Sequence, residues 1–523
     1  MDYKAFVNEE KTLLIAPAGY GKTHTIVECL KHTSGKQLIL THTHAGVAAI
    51  KEKIKKENIS SHEYAIETIS SFAQKYVHAF YVGVDIPEQD AKDKDNPDKD
   101  YHSFIVRKAI TIFKCSIVKQ VISSSYQGLF VDEYQDCTKQ QHAMIMSLAN
   151  ILSTHILGDP LQGIFDFNGE TVNFESDLSN FKKFPELEIP YRWYKNENNK
   201  GLGDLIKEFR ESLKRREPIP INSNIGSSFY VIDISNSDFD DPKSNYRKKL
   251  TSLVQDNKNK QNSESLLIIV PEYDEFENGQ RIRRGNIEER SKILTKIDFS
   301  KSLTLLEAID DRSFYSSAKT IDEIIESLRR ARKPIKKLKE CISKFFYKNS
   351  PLRLKRNNVG LNDWISSSSK HNNGDFYIIN KNGINKALSD GLIALFNSLI
   401  STPSKQNMYK LLLYLQNNLN LKKLPRSDLL LSIMKALHNS IHEDTTVYEA
   451  MKSYKNHMRR IGRKVNGMCI GTTLLTKGLE FDTVAILDAH KFDCPKHLYV
   501  ALTRCCKKLI IFSEQSTLSP YSD

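Results

Sequence analysis

Residues 16–23 have the composition of a loop that binds phosphate groups. They read APAGYGKT and lie between an apolar run and the start of a helical pattern. Small residues allow backbone N–H groups to turn toward a phosphate, a lysine reaches the terminal phosphates, and a hydroxyl binds magnesium. Ala16 stands where the usual pattern has a glycine. The residues assigned to phosphate and magnesium binding are Ala18, Gly19, Tyr20, Gly21, Lys22 and Thr23.

A pair of acids supplies the second part of a nucleotide-hydrolysing site. Asp132 and Glu133 follow the apolar run at residues 129–131 and open the segment DEYQD. Asp132 would hold the magnesium ion, and Glu133 would orient and deprotonate the attacking water. An isolated Asp-Glu pair is often only the acidic start of a helix, where it favours the helix dipole. Together with the phosphate loop, however, the pair predicts hydrolysis of a nucleoside triphosphate.

Strands are needed to position these residues, and short apolar runs recur at both ends of the sequence. Each run is followed by a turn and a helical pattern, which predicts an α/β fold of parallel sheets covered by helices on both faces. In such sheets ligands bind beyond the carboxyl ends of the strands. The predicted strands span residues 13–16, 37–43, 128–131, 155–157, 187–189, 468–471, 483–487 and 508–512.

The composition is that of a globular protein without a membrane span. The 523 residues are 40% hydrophobic and 27% charged, with a mean hydropathy of −0.45. No apolar run approaches the roughly 20 residues of a membrane helix, and residues 1–14 lack the pattern of a secretory signal. The eight cysteines form no CxxC pair and no zinc pattern, which is typical of reduced cytosolic thiols. We therefore expect a soluble, cytoplasmic protein with no membrane partner.

The net charge of +13 is concentrated in one segment. Residues 329–356 contain twelve lysines and arginines and a single acid, Glu340. On composition alone, such a block is either a solvated helix face or a surface that binds a polyanion. The aromatic residues 345–347 favour nucleic acid, because bases stack on aromatic rings while cations neutralise phosphate. The candidate DNA contacts in this block are Lys336, Lys337 and Lys339.

The segment FVDEYQD at residues 130–136 resembles the DExQD box of superfamily 1A helicases of the UvrD/Rep/PcrA type. The resemblance covers roughly residues 10–195 and 465–515. It implies two RecA-like P-loop NTPase domains that use ATP and Mg²⁺ and act on single-stranded DNA or a junction of single-stranded and duplex DNA. The other boxes of the family are matched in order by residues 16–23 (APAGYGKT), 41–44 (THTH), 68–72 (TISSF), 158–165 (GDPLQGIF), 190–192 (PYR), 476–482 (TKGLEFD) and 498–504 (LYVALTR).

The resemblance also implies a role for individual residues around the nucleotide. Gln162 would sense the terminal phosphate, Tyr191 would stack on the base, and Glu480 would contact the ribose. Arg192 and Arg504 would bring positive charge to the transferring phosphoryl group from the second domain. Hydrolysis would then depend on closure of the cleft between the domains.

The DNA contacts that the resemblance implies lie in the first domain. Phe165 and Phe167 occupy positions at which the family stacks aromatic rings on bases, although two phenylalanines at this spacing are also typical of a buried strand face. The residues expected beside the DNA backbone are Thr41, Thr43, Ser71 and Phe72.

The same resemblance predicts the domain organisation. Domain 1A would span residues 1–195, with a short 1B-like insertion near residues 73–125. Domain 2A would combine residues 196–290 with residues 450–523, and residues 291–449 would form a mostly helical, 2B-like insertion.

Several positions depart from the family pattern. Residues 167–170 read FNGE where the family has WRGA, Ala45 replaces a lysine, and Leu474 replaces a histidine. The phosphate loop is not preceded by the glutamine that reads adenine, and only 58 residues separate Phe72 from Val131. The catalytic residues are kept while the unwinding apparatus is reduced.

Two functions are compatible with this pattern. The first is an ATP-dependent translocase or helicase that moves 3′ to 5′ on single-stranded DNA. The second is a regulatory NTPase subunit that senses DNA or nucleotide and controls a separate nuclease. The compact build resembles the UvrD-like helicase subunit of Gabija-type antiphage systems, for which the partner would be an OLD-like nuclease. An intrinsic nuclease is not supported, because the sequence has no PD-(D/E)xK cluster and no His/Cys metal set.

Overall fold

The structure is a computed structural model. It describes residues 1–87, 100–165, 170–195, 199–221, 226–259, 264–277, 280–298, 303–306, 311–329, 342, 368–370, 376–378, 386–418, 427–461 and 467–521. None of the helices in these ranges combines the length and the apolar character that crossing a membrane requires.

The amino-terminal part forms a six-stranded parallel sheet in the order β3-β2-β4-β5-β1-β6. Every residue of β2 and β4 is buried, as expected for a sheet covered by helices on both faces. Its strands are β1 (Lys11–Ile15), β2 (Gln37–Thr41), β3 (Tyr64–Thr68), β4 (Gly128–Val131), β5 (Ser153–Gly158) and β6 (Lys182–Phe184). Its helices are α1 (Tyr3–Asn8), α2 (Lys22–Leu30), α3 (His44–Lys56), α4 (Ile69–Phe80), α5 (Tyr101–Ile112), α6 (Ser116–Ser125), α7 (Lys139–Ala149) and α8 (Tyr191–Tyr194).

The second half contains another six-stranded parallel sheet, in the order β12-β15-β9-β16-β17-β8. Its strands are β8 (Phe229–Asp233), β9 (Leu266–Ile269), β12 (Leu303–Leu305), β15 (Met468–Gly471), β16 (Phe481–Ile486) and β17 (Cys505–Ser513). Its helices are α9 (Lys200–Arg215), α10 (Asn245–Asn259), α11 (Ile287–Ile297), α17 (Thr473–Thr476) and α18 (Pro495–Leu502). The smaller pairs are β7 (Ile219–Pro220) with β18 (Thr517–Leu518), β10 (Asp274–Glu277) with β11 (Gln280–Arg283), and β13 (Ser368–Lys370) with β14 (Phe376–Ile378).

Five further helices share a separate apolar core, in which residues such as Ile321, Leu411 and Leu437 are fully buried. They are α12 (Arg312–Arg329), α13 (Lys386–Ser401), α14 (Lys405–Asn418), α15 (Ser427–His442) and α16 (Val447–Ile461). The two sheets confirm the predicted α/β class with two RecA-like domains, and these helices form the mostly helical region between β12 and β15.

One prediction about a strand is wrong. The sixth strand of the first sheet is residues 182–184 and not 187–189. It is an edge strand in which both lysines are exposed, so it lacks an apolar run, whereas Leu187 lies beyond it in an extended segment whose N–H donates to the carbonyl of Ile15 at 3.2 Å. The second sheet also includes β12, which lies beyond residue 290 and pairs with β15. With three residues, β12 is too short to show a strand pattern in the sequence.

His155 lies in the core of the first domain, between the rings of Phe6 and Phe130 at centroid distances of 5.3 and 4.8 Å. Its Nδ1 is 2.8 Å from Thr12 Oγ1. Burial lowers the pKa of His155 to about 4. Because an unfolded histidine binds its proton near pH 6.5, the stability that the neutral ring contributes is present above that pH and is lost as the pH falls.

We therefore expect His155→Gln to flatten the pH dependence of stability. Between about pH 6.5 and 4 the wild type should lose about 3 kcal/mol of unfolding free energy through this residue. Urea denaturation at several pH values measures the loss. His62→Gln, at an exposed position, is the matched control and should keep the wild-type dependence. Equal pH dependence in His155→Gln and wild type would contradict the assignment.

Candidate nucleotide site between the two sheets

The phosphate loop connects the carboxyl end of β1 to the start of α2. The N–H of Ala16 donates to the carbonyl of Gly158 at 3.0 Å, which fixes the loop to the end of β5. Gly19 and Gly21 have φ values of 81° and 99°, which favour glycine. A Cβ on Gly19 would also lie 2.8 Å from the Trp193 ring. Both glycines therefore have left-handed backbone conformations, which other residues rarely adopt.

Lys22 meets both acids of the DEYQD segment. Its Nζ lies 2.6 Å from Glu133 Oε1 and 3.6 Å from Asp132 Oδ1. Although burial opposes it, the charges of Lys22 and Lys477 lower the pKa of Glu133 to about 2, so this residue is ionised at neutral pH. Burial raises the pKa of Asp132 to about 6. The site thus keeps one strongly ionised carboxylate beside a lysine.

Glu133 stands at the junction of β4 and a 3₁₀ turn at residues 134–136, with φ 56° and ψ 38°. A left-handed conformation is unfavourable for glutamate, and such strain clusters at functional sites. Gln135 Nε2 donates to Glu133 Oε2 at 2.5 Å, and Gln135 Oε1 accepts the N–H of Asp159 at 2.9 Å. Gln135 therefore connects the acidic segment to the segment that carries Gln162.

Gln162 and Arg504 meet across the boundary between the two domains. Gln162 Nε2 donates to Asp159 Oδ2 at 3.0 Å, and its Oε1 lies 3.5 Å from a terminal guanidinium nitrogen of Arg504. Arg504 also donates from Nε to the carbonyl of Val500 at 2.9 Å. Burial and the charge of Arg192 lower the pKa of Arg504 to about 10. Arg504 of the second domain therefore contacts a side chain of the first domain, Gln162.

Arg192, Tyr191 and Glu480 also come together beside the phosphate loop. The backbone N–H of Arg192 donates to the carbonyl of Gly19 at 2.9 Å. Its guanidinium donates to Glu480 Oε1 at 2.6 Å and to the carbonyl of Thr503. Tyr191 is 46% exposed and lies beside Gly21. The sequence predicts that Arg192 contacts the phosphoryl group and that Glu480 contacts the ribose. In this structure the two side chains pair with each other.

Lys477 bridges the two domains in a way that the sequence did not predict. Its Nζ donates to Asp136 Oδ2 at 2.6 Å and to the carbonyl of Gln162, and it lies 4.8 Å from the Phe165 ring centroid. Both side chains of the ion pair are nearly inaccessible. Burial raises the pKa of Asp136 to about 7 and lowers the pKa of Lys477. The TKGLEFD box contains Lys477, but its sequence does not indicate which acid this lysine contacts.

Lys477→Met should lower the free energy of unfolding by about 3–5 kcal/mol, because it leaves the buried carboxylate of Asp136 without a partner. The effect should be largest above about pH 7, the pKa to which burial raises the Asp136 carboxyl, and should shrink as the pH falls below that value. Adding Asp136→Asn should recover most of the stability. Lys507→Met removes a half-exposed ion pair with Asp482 and serves as the control with little effect. Chemical denaturation of the four proteins measures these differences, and equal stability of Lys477→Met and wild type would contradict the expectation.

The predicted DNA contacts have different environments. Phe165 is half-buried under Lys477, Thr43 is exposed at the amino end of α3, and Ser71 is half-buried on α4. The predictions for Thr41 and Phe72 are wrong in this structure, because both side chains are buried. Phe72 packs against Tyr76 and Phe113 within the core and is fully buried, so it has no exposed surface that a DNA backbone could contact. The candidates that lie outside the described residues are Phe167, Lys336, Lys337 and Lys339.

The oxygen atoms near the phosphate loop are compatible with magnesium. Asp132 is 4% exposed, and its buried Oδ1 makes no hydrogen bond among the described residues. Thr23 lies at the first turn of α2, next to Lys22. Carboxylate and hydroxyl oxygens are hard ligands of the kind that Mg²⁺ prefers. Asp132 and Thr23 would hold the ion, as the sequence predicts.

Comparison with known proteins adds two family matches. The model for the UvrD/REP helicase N-terminal domain matches residues 88–185. The model for the viral superfamily 1 RNA helicase core domain matches residues 383–513. The chain is similar to superfamily 1 helicases. The two matches include the DEYQD segment and Gln162 on one side, and the boxes with Lys477 and Arg504 on the other.

A curated relative and two solved structures are also similar. The Gabija protein GajB of Bacillus cereus (strain VD045) is 34% identical over 128 residues, which cover 22% of this chain and 25% of GajB. The helicase nonstructural protein 10 of Arterivirus in complex with DNA is 15% identical, with a TM-score of 0.25 over 51% of this chain and 49% of that protein. The crystal structure of Arterivirus nonstructural protein 10 has 14% identity, a TM-score of 0.26 and coverage of 51% and 48%. The architecture described above rests on this chain's own strand order.

Proposed function

We propose that this protein is an ATP-dependent translocase or helicase on single-stranded DNA, with 3′ to 5′ movement. ATP would be hydrolysed between the two sheets. The proposal rests on one observation: a lysine and two acids of the first domain lie near an arginine of the second domain. Lys22, Asp132 and Glu133 belong to the first domain. Arg504 of the second domain contacts Gln162, which is connected to Glu133 through Asp159 and Gln135. A finger arginine on a separate domain makes hydrolysis depend on domain closure.

Each group has a role that follows from its charge and position. The phosphates of ATP would take over the ammonium of Lys22, which now pairs with Glu133. In this structure the charges of Lys22 and Lys477 hold Glu133 ionised, and release from Lys22 would make its carboxylate a stronger base that could accept a proton from the attacking water. Asp132 and Thr23 would hold Mg²⁺, which would supply positive charge opposite the negative charge that develops on the phosphate. Tyr191 is exposed beside the loop and available to stack on the base.

Lys477 gives the proposed motor a physical link between nucleotide and DNA. It contacts the carbonyl of Gln162, which we propose senses the terminal phosphate, and the ring of Phe165, which we propose stacks on a nucleobase. A nucleobase that displaced Lys477 from Phe165 would therefore move a side chain that is bonded to the carbonyl of Gln162. This link supports hydrolysis that depends on single-stranded DNA.

A regulatory NTPase subunit is the second candidate. The similarity to GajB favours it, because GajB is described as a Gabija protein, although the match covers a quarter of that protein. In this case the chain would sense DNA or nucleotide and control a separate, OLD-like nuclease. The same residues would hydrolyse ATP, with little processive unwinding.

Steady-state ATP hydrolysis with and without single-stranded DNA, duplex DNA and RNA tests the proposal. We expect single-stranded DNA to stimulate kcat and the protein alone to displace a strand from a duplex with a 3′ tail. A duplex with a 5′ tail is the control for polarity. Hydrolysis without displacement would favour the regulatory subunit. Absence of hydrolysis under every condition would contradict both functions.

The basic block supplies a separate prediction about DNA binding. We expect simultaneous replacement of Lys336, Lys337 and Lys339 by glutamine to weaken binding to single-stranded DNA. The slope of log K against log salt should fall by about 0.7 for each phosphate that the variant no longer neutralises. Titrations of a labelled oligonucleotide at several salt concentrations measure it. An unchanged slope would identify the block as a solvated surface.

A further inference from the structure

Arg210 is a buried arginine of the second domain, and its guanidinium pairs with two carboxylates of the first domain. It is 2% exposed on the inner face of α9, which packs against the second sheet through an apolar cluster that includes Leu202, Ile206 and Phe209. One terminal nitrogen donates to both carboxylate oxygens of Asp159, at 2.8 and 3.1 Å. The other donates to Glu186 Oε1 at 2.9 Å.

Asp159 connects this arginine to the proposed catalytic groups. The side chain of Asp159 is fully buried at the end of β5. Its Oδ2 accepts from Gln162 Nε2 at 3.0 Å, and its backbone N–H donates to Gln135, which in turn donates to Glu133. The orientation of the Asp159 carboxylate therefore sets the orientation of Gln162.

Arg210 also supports the phosphate loop from behind. Its guanidinium lies 5.2 Å from the ring centroid of Tyr499, within the range of a cation–π contact. The hydroxyl of Tyr499 accepts the N–H of Ala18 at 3.3 Å. The guanidinium of Arg210 thus contacts Asp159, which bonds to Gln162. It also contacts Tyr499, which bonds to the phosphate loop at Ala18.

We propose that Arg210 is a positioning residue for ATP hydrolysis. It holds Asp159, and through it Gln162, in the geometry that the second domain dictates. A buried ion pair contributes little net stability compared with apolar residues of the same volume. We therefore assign Arg210 a positioning role, because a displacement of α9 would move Asp159 and, with it, the side chain of Gln162. This inference rests on the proposed function and adds a residue that none of the helicase boxes contains.

Arg210→Met and Arg210→Lys test the proposal in the full chain. Arg210→Met should reduce kcat about 10- to 100-fold, as misplaced catalytic groups do, with unchanged affinity for the fluorescent analogue mant-ATP. Arg210→Lys should lie between it and the wild type. Glu186→Gln removes the other carboxylate partner of Arg210 but touches no proposed catalytic group, and it should keep wild-type kcat. The double variant Asp159→Asn/Arg210→Met removes both buried charges, so it should fold even where Arg210→Met does not, and its kcat should also be low.

A double-mutant cycle with Gln162→Ala separates positioning from general structural damage. If Arg210 acts through Gln162, Arg210→Met should reduce kcat far less in the Gln162→Ala background than in the wild type. Full additivity of the two effects, or wild-type kcat in a folded Arg210 variant, would overturn the inference and leave the proposed function intact. A wild-type protein that hydrolyses no ATP would instead contradict the proposed function.

Discussion

Glu133→Gln should bind ATP normally and hydrolyse it about 10²- to 10⁴-fold more slowly than the wild type, the usual contribution of a general base. Glutamine keeps the size of the side chain but cannot accept the proton of the attacking water. The structure supports this role because Glu133 is held ionised beside Lys22 and is fixed by Gln135.

Single-turnover hydrolysis and mant-ATP titration separate the two effects. Glu57→Gln is a suitable control, since Glu57 is exposed at the end of α3 and pairs only with Lys31 among the contacts that the structure shows for its carboxylate. Hydrolysis by Glu133→Gln at the wild-type rate would assign the base to another residue. A loss of ATP binding in the variant would instead indicate that the carboxylate organises the loop.

Arg504→Met should reduce DNA-stimulated kcat by about 10³- to 10⁵-fold, the range measured for finger arginines. Arg504 is 2% exposed, and burial with the nearby charge of Arg192 lowers its pKa to about 10. The fold thus opposes the charge at this position. Removing the charge with a side chain of similar length should therefore cost little stability.

Thermal unfolding and kcat at saturating single-stranded DNA test both parts of this expectation. Arg215→Met on α9 removes an exposed arginine and should leave both quantities unchanged. Large destabilisation of Arg504→Met would indicate a structural role for its bonds to Val500 and Leu479. Retained kcat in a stable variant would exclude Arg504 from the reaction.

Local sequence patterns predicted the parts of the site that fold locally. The phosphate loop and the DEYQD segment each follow a buried strand, and the type of each residue there is set by its own turn. Glycine at residues 19 and 21 and acids at 132 and 133 are therefore readable without knowledge of the rest of the chain. The α/β class followed from the same alternation of buried strands and helices.

Pairs of residues from different sheets could not be predicted. Lys477 and Asp136 are separated by 341 positions, and no pattern in either segment indicates its partner. Arg210 offered a weak signal, since it is a charged residue between apolar neighbours on the inner face of α9. The prediction for Phe72 was wrong because its position in a helicase box indicated a DNA contact, whereas the periodicity of α4 places its side chain in the core.

The contact between Lys22 and Glu133 has a consequence for regulation. The ammonium of Lys22 is the counter-ion of the Glu133 carboxylate, and the phosphates of a bound nucleotide would compete with this carboxylate for the same ammonium. Arrival of substrate and release of the base then become one exchange reaction. If Glu133 is the general base, as we propose, the pairing with Lys22 holds the base back as long as the phosphate loop binds no anion.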